Sequence, residues 1–344
     1  MDLKTLKERA SIIRQVRTFF DDRGYLELDT PLLSPDLIPE SCLEVFETHR
    51  LFPRGSKRQN QSLYLIPSPE IWMKKIIAKH RENVFQICKS FRNSECAGRL
   101  HNFEFTMLEY YTMNADYMDS LSLTENLIRE IETYGTRINA NFINSHGLKE
   151  KKEPIIFNRI TVADAFMQYA GFDLFETAEK GEEAMIKEAR RLGLDPMKGL
   201  SVPQLYDLIF IHAVEPRLNE DNPVALIDYP AFVPCLAKKA ANGRTVERWE
   251  LYWKGIELAN CFSEEIDPQK IKEFFINEET EKKRSAIVNH KVDHDFWKMF
   301  KSKKIPNCSG VAVGLDRLIM ALTGKSSIDC VLPFTQDASL KKTT

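Results

Sequence analysis

The chain has 344 residues, of which 43% are hydrophobic and 28% are charged, and its formal net charge is −2. This length allows one large domain or two small ones, and the near-neutral charge excludes a protein drawn to nucleic acid by its overall field. No apolar run approaches a membrane span, the first ten residues do not form a signal peptide, and the seven cysteines lack CxxC spacing, so we expect a cytoplasmic protein with reduced thiols.

The N-terminal part is predicted to contain two helices around a polar hairpin. From Leu3 to Phe20, apolar residues recur at three- to four-residue spacing, which predicts a helix that Gly24 ends. The elements predicted next are a strand over residues 25–31, a hairpin tip or loop over the basic residues 49–62 and a helix that begins near Pro69.

The middle of the chain changes character. Residues 144–154 are the best linker candidate, and residues 162–192 look helical and amphipathic, as part of an insertion at about residues 155–222. Strand patterns resume at residues 225–230, and the polar tail from residue 335 is expected to fray. Because strands do not alternate regularly with helices, we predict an α+β fold, with a mixed or mostly antiparallel sheet flanked by helices.

Residues 84–92 alternate as a strand whose more polar face carries Arg92. Gln86, Cys88 and Ser90 share that face, because alternate side chains of a strand point the same way. An arginine fork in this position can hold an α-phosphate and a carboxylate during adenylation. A solvated strand arginine gives the same pattern.

A second strand, residues 103–111, combines aromatic residues with an acid. One face would carry Phe103, Phe105, Met107, Glu109 and Tyr111. An acid in such surroundings is costly to bury without a partner, and a cationic ligand would supply one. Phe105 would then stack on a purine, while Glu109 and Tyr111 would receive an ammonium group. The alternative is an aromatic core strand with its acid at the edge.

Lys254 and Gly255 predict the two-residue turn of a β-hairpin. The register that follows from this turn places Tyr252 opposite Glu257, and Glu250 opposite Ala259.

In that register Glu250 and Glu257 are diagonal neighbours on one side of the sheet. Two carboxylates so placed repel each other unless a cation joins them, and Mg²⁺ bridging nucleotide phosphates would do so. An exposed hairpin with its acids in water is the alternative. Strict alternation sends Glu264 to the opposite face, unless a bulge or bend interrupts the strand near residues 260–263.

Residues 310–320 predict a short strand that runs into a helix. Gly310 and Gly314 allow a ligand to approach the backbone closely. Arg317 would lie in the first helical turn, where it could hold a γ-phosphate or the departing pyrophosphate. A purely structural helix start is the alternative. Cys88, Cys96 and Cys261 lie near these motifs, and we expect them to be small buried residues, not catalytic thiols. 

Together these segments resemble the three motifs of class II aminoacyl-tRNA synthetases. Residues 24–31 look like motif 1, residues 91–111 like motif 2 and residues 314–320 like motif 3. The detail is similar to the lysyl branch, through SPE at residues 68–70 and through the patterns HNxEFTMLExY and GxELANxFSE. The resemblance runs from about residue 4 to residue 334, nearly the whole chain.

Lysyl-tRNA synthetases also carry an N-terminal anticodon-binding OB-fold, for which no room is left here before motif 1. The chain is therefore more similar to the elongation factor P–lysine ligases, which activate (R)-β-lysine and transfer it to a lysine ε-amine of elongation factor P. Ala312 also matches the ligases, since the lysyl-tRNA synthetases usually have Gly at this position and the ligases have Ala. The resemblance implies ATP and Mg²⁺ as cofactors, a homodimer, and a single catalytic domain over residues 1–334.

The resemblance also implies a role for each candidate residue. Arg92 and Arg317 would be catalytic, with Arg92 on the α-phosphate and substrate carboxylate and Arg317 on the γ-phosphate. The ATP contacts would be Arg92, Asn93, Asn102, Phe105, Glu257, Leu258, Gly314 and Arg317, with Asn102 and Phe105 on the adenine. Mg²⁺ would bind Glu250 and Glu257. The substrate contacts would be Ser68, Pro69, Glu70, Glu109, Tyr111, Asn260, Glu264 and Ala312, with Glu70 at the backbone amine and Glu109, Tyr111 and Glu264 at the side-chain ammonium.

Three departures from the family pattern leave details open. Either Ser94 or Glu95 could take one adenine contact, Phe103 replaces a Pro, and Cys261 replaces a Gly. The competing functions are a truncated lysyl-tRNA synthetase core that charges tRNA or makes lysyl-adenylate, and a non-catalytic amino-acid sensor. The retained phosphate-binding pattern argues against the sensor, and the missing OB-fold and the near-neutral charge argue against tRNA.

Overall fold

The computed structural model describes residues 2–54, 56, 59–93, 98–143, 155–218, 221–301 and 305–335, with the backbone alone for residues 135–143. The helices are α1 (Leu3–Asp21), α2 (Glu70–His80), α3 (Tyr117–Ile143), α4 (Val162–Ala165), α5 (Leu174–Glu179), α6 (Glu182–Arg191), α7 (Val202–Ile209), α8 (Pro268–Ser285) and α9 (Leu315–Thr323). The strands are β1 (Leu26–Glu27), β2 (Leu33–Ser34), β3 (Glu47–Arg50), β4 (Gln61–Leu65), β5 (Val84–Phe91), β6 (Glu104–Met113), β7 (Asn158–Thr161), β8 (Val224–Pro230), β9 (Thr245–Trp253), β10 (Ile256–Ser263) and β11 (Cys308–Gly314).

Two compact units make up the chain. The first combines Met1–Asn114 with Ile266–Thr344, and the second is Ala115–Glu265. In the first unit, four strands follow the order β1-β5-β6-β11, in which β1 is parallel to β5 and the other pairs are antiparallel. A small antiparallel sheet, β2-β4-β3, accompanies them.

Aromatic side chains from α1, β5 and β6 form the core of the first unit. Phe20 stacks on Phe85 with ring centroids 4.9 Å apart, and it also lies 4.9 Å from the ring of Tyr110. All three side chains are fully buried. Arg9 of α1 and Asp316 of α9 form a buried ion pair at 2.6 Å. These contacts fix α1 and α9 relative to the strands that carry the predicted phosphate and amine contacts.

The second unit contains four strands in the order β10-β9-β8-β7, antiparallel except for the parallel pair β7–β8. Its core lies where the short helices α4 to α7 pack on β8 and β9. Phe166 stacks on Tyr206 with centroids 5.3 Å apart, and Tyr206 stacks on Phe210 at 5.8 Å. This packing holds β8 and β9 in place, and β9 is the first strand of the β9–β10 hairpin.

Most predicted elements of the first unit are confirmed. The predicted N-terminal helix is α1, and Gly24 takes the left-handed conformation (φ +72°) in the turn after it. The strands β3 and β4 flank the basic stretch of residues 49–62, and α2 begins directly after Pro69. The strand predicted over residues 25–31 is shorter than expected, because only Leu26–Glu27 pairs with β5.

The predicted helical insertion contains α4 to α7, but it begins with a strand, β7, and not with a helix. Residues 144–154, the predicted linker, and residues 336–344 of the tail lie outside the described residues. The α+β class with mostly antiparallel strands and flanking helices is confirmed. Among the described helices, none is long and apolar enough to cross a membrane.

Candidate active site

Arg92 lies directly after β5, beside the ring of Phe105 on β6. Its backbone N–H donates to the carbonyl oxygen of Phe103 at 2.9 Å, so the strand pairing continues just past the end of β5. The guanidinium carbon is 5.2 Å from the centroid of the Phe105 ring, within the range of a cation–π contact. The predicted phosphate contact and the predicted adenine platform are therefore neighbours.

Asn93 and Asn102 stand on either side of the loop that joins β5 to β6. Asn93 donates its backbone N–H to the carbonyl of Glu44 at 2.9 Å and its side-chain NH₂ to the carbonyl of Val45 at 3.2 Å. The Oδ1 of Asn102 is buried and accepts no hydrogen bond from the residues that the structure describes. A buried acceptor of this kind suits the amino group of an adenine. Asn93 instead holds the backbone segment of Glu44 and Val45.

Arg317 occupies the first turn of α9, after Gly314 at the helix N-terminus. Its Nε donates to the carbonyl of Leu100 at 3.1 Å, and its Nη2 lies 3.3 Å from both ring nitrogens of His101. These contacts attach the side chain to the loop that precedes β6. The half-exposed guanidinium of Arg317 therefore contacts the two residues that directly precede Asn102 in the sequence.

Glu109 and Tyr111 interact on β6, as their shared face predicts. The Tyr111 hydroxyl donates to Oε1 of Glu109 at 2.7 Å, and Glu109 is 3% exposed. In the strand register, Glu109 lies between Gln86 of β5 and Ala312 of β11. The methyl group of Ala312 therefore stands directly across from the acid, next to the predicted ammonium pocket.

Ser68, Pro69 and Glu70 enter helix α2, with Pro69 at its N-cap. The carboxylate of Glu70 forms an ion pair with Lys74, one turn further along, at 2.5 Å. Lys74 is almost fully buried, so this pair is shielded from solvent. An ammonium group that bound Glu70 would therefore share the carboxylate with Lys74.

Glu40 belongs to the same charged neighbourhood, although no motif drew attention to it. Burial, reinforced by the carboxylate of Glu70, raises the pKa of Glu40 to about 7, while Arg92 and Lys282 pull it down. Lys282 donates to the carbonyls of Glu40 and Leu43, and is itself buried. The segment that holds Glu40 is thereby tied to α8.

The hairpin β9–β10 turns at Lys254 and Gly255, which both have positive φ (54° and 71°), as the two-residue turn requires. The prediction that Tyr252 faces Glu257 is confirmed.

A β-bulge changes the register beyond Glu257. The prediction that Glu250 lies opposite Ala259 is wrong: Glu250 pairs with Asn260, because Leu258 is an extra residue between the two pairings. The bulge keeps Glu250 and Glu257 on one face. Regular alternation from Asn260 then carries Glu264 to that face too. Glu264 needed a bulge or bend in the strand to reach the face of Glu257. That bulge exists, but it lies at Leu258 and not within residues 260–263.

Glu250 is embedded in a network of hydrogen bonds. One carboxylate oxygen pairs with Arg248 at 2.5 Å, and the other accepts from the hydroxyls of Tyr229 at 2.6 Å and Tyr252 at 2.7 Å. Glu250 is 8% exposed. Its negative charge is therefore offset by a neighbouring guanidinium.

The two described cysteines near these motifs are placed as structural residues. Burial raises the pKa of the Cys88 thiol to about 12, and the Glu109 carboxylate adds to this shift. Cys261 is fully buried in β10. Neither thiol is therefore set up to react as a thiolate, while Cys96 lies outside the described residues.

The comparison with known proteins gives these residues a context. The family model of the tRNA synthetases class II (D, K and N) matches residues 2–338. The chain belongs to this family. It is 34% identical over 337 residues to the elongation factor P–(R)-β-lysine ligase of Vibrio atlanticus, an alignment that covers 96% of this chain and 95% of the relative. The protein of the same name from Avibacterium paragallinarum is 33% identical over 334 residues, with 97% and 95% covered.

Three residues of the charged or polar neighbourhoods described above were not among the predicted site residues: Glu40, Gln86 and Arg248. Glu40 has no sequence pattern of its own. Gln86 was placed on the polar face of β5, but its amide is 1% exposed, accepts from Thr30 at 3.0 Å and donates to no acceptor in the described part of the chain. Arg248 could have been noticed, since it shares a strand face with Glu250 two positions later.

Proposed function

We propose that the protein activates lysine or (R)-β-lysine with ATP and transfers it to a lysine side chain of elongation factor P. The observation that carries this proposal is the similarity, over nearly the full length of both chains, to proteins named elongation factor P–(R)-β-lysine ligase. The motif residues that the sequence analysis assigned to ATP and to a diamino acid support it.

In the first step, a carboxylate oxygen of the amino acid attacks the α-phosphorus of ATP, and pyrophosphate leaves. Arg92 would hold the α-phosphate and the attacking carboxylate, while Phe105 and Asn102 would bind the adenine. Arg317 would hold the γ-phosphate and stabilise the departing pyrophosphate, aided by its place in the first turn of α9. Asn93, Gly314 and Leu258 would complete the ATP contacts. Catalysis then consists of positioning and charge stabilisation, with no covalent intermediate on the protein.

The amine groups of the substrate would be recognised by acids. Glu109, held by Tyr111, and Glu264 would bind the side-chain ammonium, and Glu70 would bind the backbone amine. Ser68 and Pro69 would shape the entrance beside Glu70, and Asn260 would contact the other end of the substrate. The Ala312 methyl beside Glu109 is where a shifted β-amine would be sensed.

Mg²⁺ would offset the phosphate charges during the first step. Glu257 fits as its protein contact, because Mg²⁺ is commonly held by one or two carboxylates together with substrate phosphates. Glu250 fits less well, since three protein donors already occupy its two oxygens. No group of three or more acidic, histidine or cysteine side chains in the described ranges is arranged to hold a metal ion.

In the second step, the ε-amine of the acceptor lysine attacks the carbonyl carbon of the adenylate. An amide bond forms, AMP leaves with the bond electrons, and the amine loses a proton. We further propose a cytoplasmic homodimer, supported by exposed leucines of α1 and β1, of which Leu3 is 66% and Leu26 is 55% exposed. Light scattering of the purified protein tests the dimer.

The test is a pair of assays on the purified full chain. ATP–pyrophosphate exchange is measured with L-lysine, (R)-β-lysine and alanine, and we expect exchange with a diamino acid but not with alanine. Transfer is then measured with elongation factor P, with the same protein lacking its acceptor lysine, and with bulk tRNA. Label on intact elongation factor P alone supports the proposal. Label on tRNA alone replaces it with a lysyl-tRNA synthetase core, and exchange with no diamino acid leaves the amino-acid sensor.

A further inference from the structure

An arginine on β9 whose side chain is only 14% exposed connects two of the predicted site residues. Arg248 pairs with the carboxylate of Glu250 at 2.5 Å, and its Nε donates to Oδ1 of Asn260 at 3.2 Å. The strand register explains why Arg248 contacts both residues, since Asn260 lies opposite Glu250 and Phe262 lies opposite Arg248. One guanidinium thus joins the predicted metal and substrate contacts of this hairpin.

The guanidinium of Arg248 is held firmly. Its carbon lies 4.4 Å from the ring centroid of Tyr229 and 5.4 Å from that of Phe262. Glu250 is itself fixed by the hydroxyls of Tyr229 and Tyr252. An arginine guanidinium stays protonated in proteins, and here it is paired with the Glu250 carboxylate. Arg248 is therefore a fixed and permanently charged donor.

A fixed donor determines how the neighbouring amide is oriented. Arginine has no hydrogen-bond acceptor, so Asn260 must present its oxygen to Arg248. The NH₂ group of Asn260 is then turned away from the guanidinium. In the described part of the chain, the hydrogen bond that Oδ1 accepts from Arg248 is the only one that the Asn260 side chain forms. Two N–H donors are thereby left for a ligand.

We propose that Arg248 is a positioning residue that holds the Asn260 amide with its NH₂ group directed at a carboxylate oxygen of the amino-acid substrate. The nature of the substrate rests on the proposed function, whereas the orientation of the amide rests on the hairpin contacts. Without Arg248, the Asn260 amide loses the donor that holds its oxygen, and it could flip and present that oxygen to the carboxylate.

A merely structural role for Arg248 has to be distinguished, because most of its side chain is shielded from solvent. The variants are Arg248→Lys, Asn260→Ala and their combination, with Arg159→Met as a matched control. Arg159 pairs with Glu125 at 2.9 Å in the same unit, and it lies on β7, which β8 separates from the β9–β10 hairpin. KM for the amino acid and for ATP are measured by pyrophosphate exchange, and lysine affinity is measured by calorimetry.

If Arg248 acts through Asn260, Arg248→Lys raises KM for the amino acid about tenfold, the loss expected for one hydrogen bond to a charged group. KM for ATP stays within about twofold, and the double variant is no worse than Asn260→Ala. Equal losses for ATP and amino acid, or an independent loss from Arg248→Lys in the Asn260→Ala background, overturn the proposal.

Asn260→Asp tests the direction of the hydrogen bond. The aspartate can still accept from Arg248, but its second oxygen faces the substrate carboxylate and repels it. We expect weaker lysine binding than in Asn260→Ala, by about tenfold, and wild-type affinity in Asn260→Asp would overturn the proposal. Lysine binding without exchange in the wild-type protein would refute the proposed function but leave these binding comparisons valid. No lysine binding in the wild-type protein would overturn both.

Discussion

Two strand pairs carry many of the predicted site residues, and they are built differently. The pair β5–β6 keeps one register from Val84 to Phe91 without interruption. The pair β9–β10 has a tight turn, two regular pairings and then a bulge at Leu258. The regular pair places Glu109 and Tyr111 where alternation requires, whereas the bulged pair re-aims every residue beyond Glu257.

The difference concerns what each pair can do. A regular pair lines up side chains at fixed intervals, which suits a row of contacts along an extended ligand. The bulged pair instead gathers Asn260 beside Glu250, around the guanidinium of Arg248. Bulges are common next to active sites because they redirect side chains without breaking the sheet. We infer that the bulge allows Asn260 and Glu257 to share one face.

The largest effect is expected next to the regular pair, where β11 leads into α9. Arg317→Ala removes the predicted γ-phosphate contact and should lower pyrophosphate exchange by about a thousandfold. Arg99→Ala is the matched control, because Arg99 donates to the carbonyl of Ser326 at 3.3 Å near the same loop and has no predicted ligand role. A comparable loss in both variants would mean that loop structure, and not phosphate binding, is affected.

The second effect is on stability and belongs to the bulged pair. Arg248→Met leaves the Glu250 carboxylate buried without its cation and should lower the free energy of unfolding by about 3–5 kcal/mol. The double variant Arg248→Met/Glu250→Leu should recover most of this loss, since no lone charge remains. Urea denaturation measures both. A single-variant loss under about 1 kcal/mol would show that the ion pair is better hydrated than its burial indicates.

The third prediction returns to the regular pair. Glu109→Gln keeps an oxygen for the Tyr111 hydroxyl but removes the charge, so KM for the diamino acid should rise about a hundredfold. Tyr111→Phe removes the hydrogen bond alone and should cost about fivefold. Exchange assays at saturating ATP give both values. If the two variants lose the same factor, Glu109 acts through the hydrogen bond and not through its charge.

The smallest effect is a pH dependence outside both pairs. The pKa of Glu40 is raised to about 7 in the folded protein, from an ordinary value of 4.5. Its charge therefore appears as pH rises through 7, and the affinity for a diammonium substrate should rise a few-fold over the same window. The same shift makes the fold less stable as pH rises from about 4.5 to about 7, because the folded state binds the proton more tightly.

Glu40→Gln tests this pH dependence. The variant should show neither the inflection in KM near pH 7 nor this contribution to the stability profile. If Glu40→Gln keeps the inflection in KM, another titrating group causes it. The charged groups around Glu40 are Glu70 and Glu278, which raise its pKa, and Arg92 and Lys282, which lower it.

The predictable part of the site follows local rules. The Lys254-Gly255 turn, the helix start after Pro69 and the shared face of Glu109 and Tyr111 each depend on a few neighbouring residues, and each is confirmed. The pairing of Glu250 with Ala259 was wrong because a bulge depends on how the whole hairpin fits its neighbours. Glu40 was missed because its pKa arises from residues far away in the sequence.

The sequence by itself determined the types of many elements, the faces of the regular strands and the motif residues, because periodicity and turn chemistry act over a few residues. Only the tertiary structure decided that Glu250 lies opposite Asn260, that Ala312 stands across from Glu109, and that Glu40 shares a charged neighbourhood with Glu70. These relations depend on register and burial, which are set when distant segments pack together.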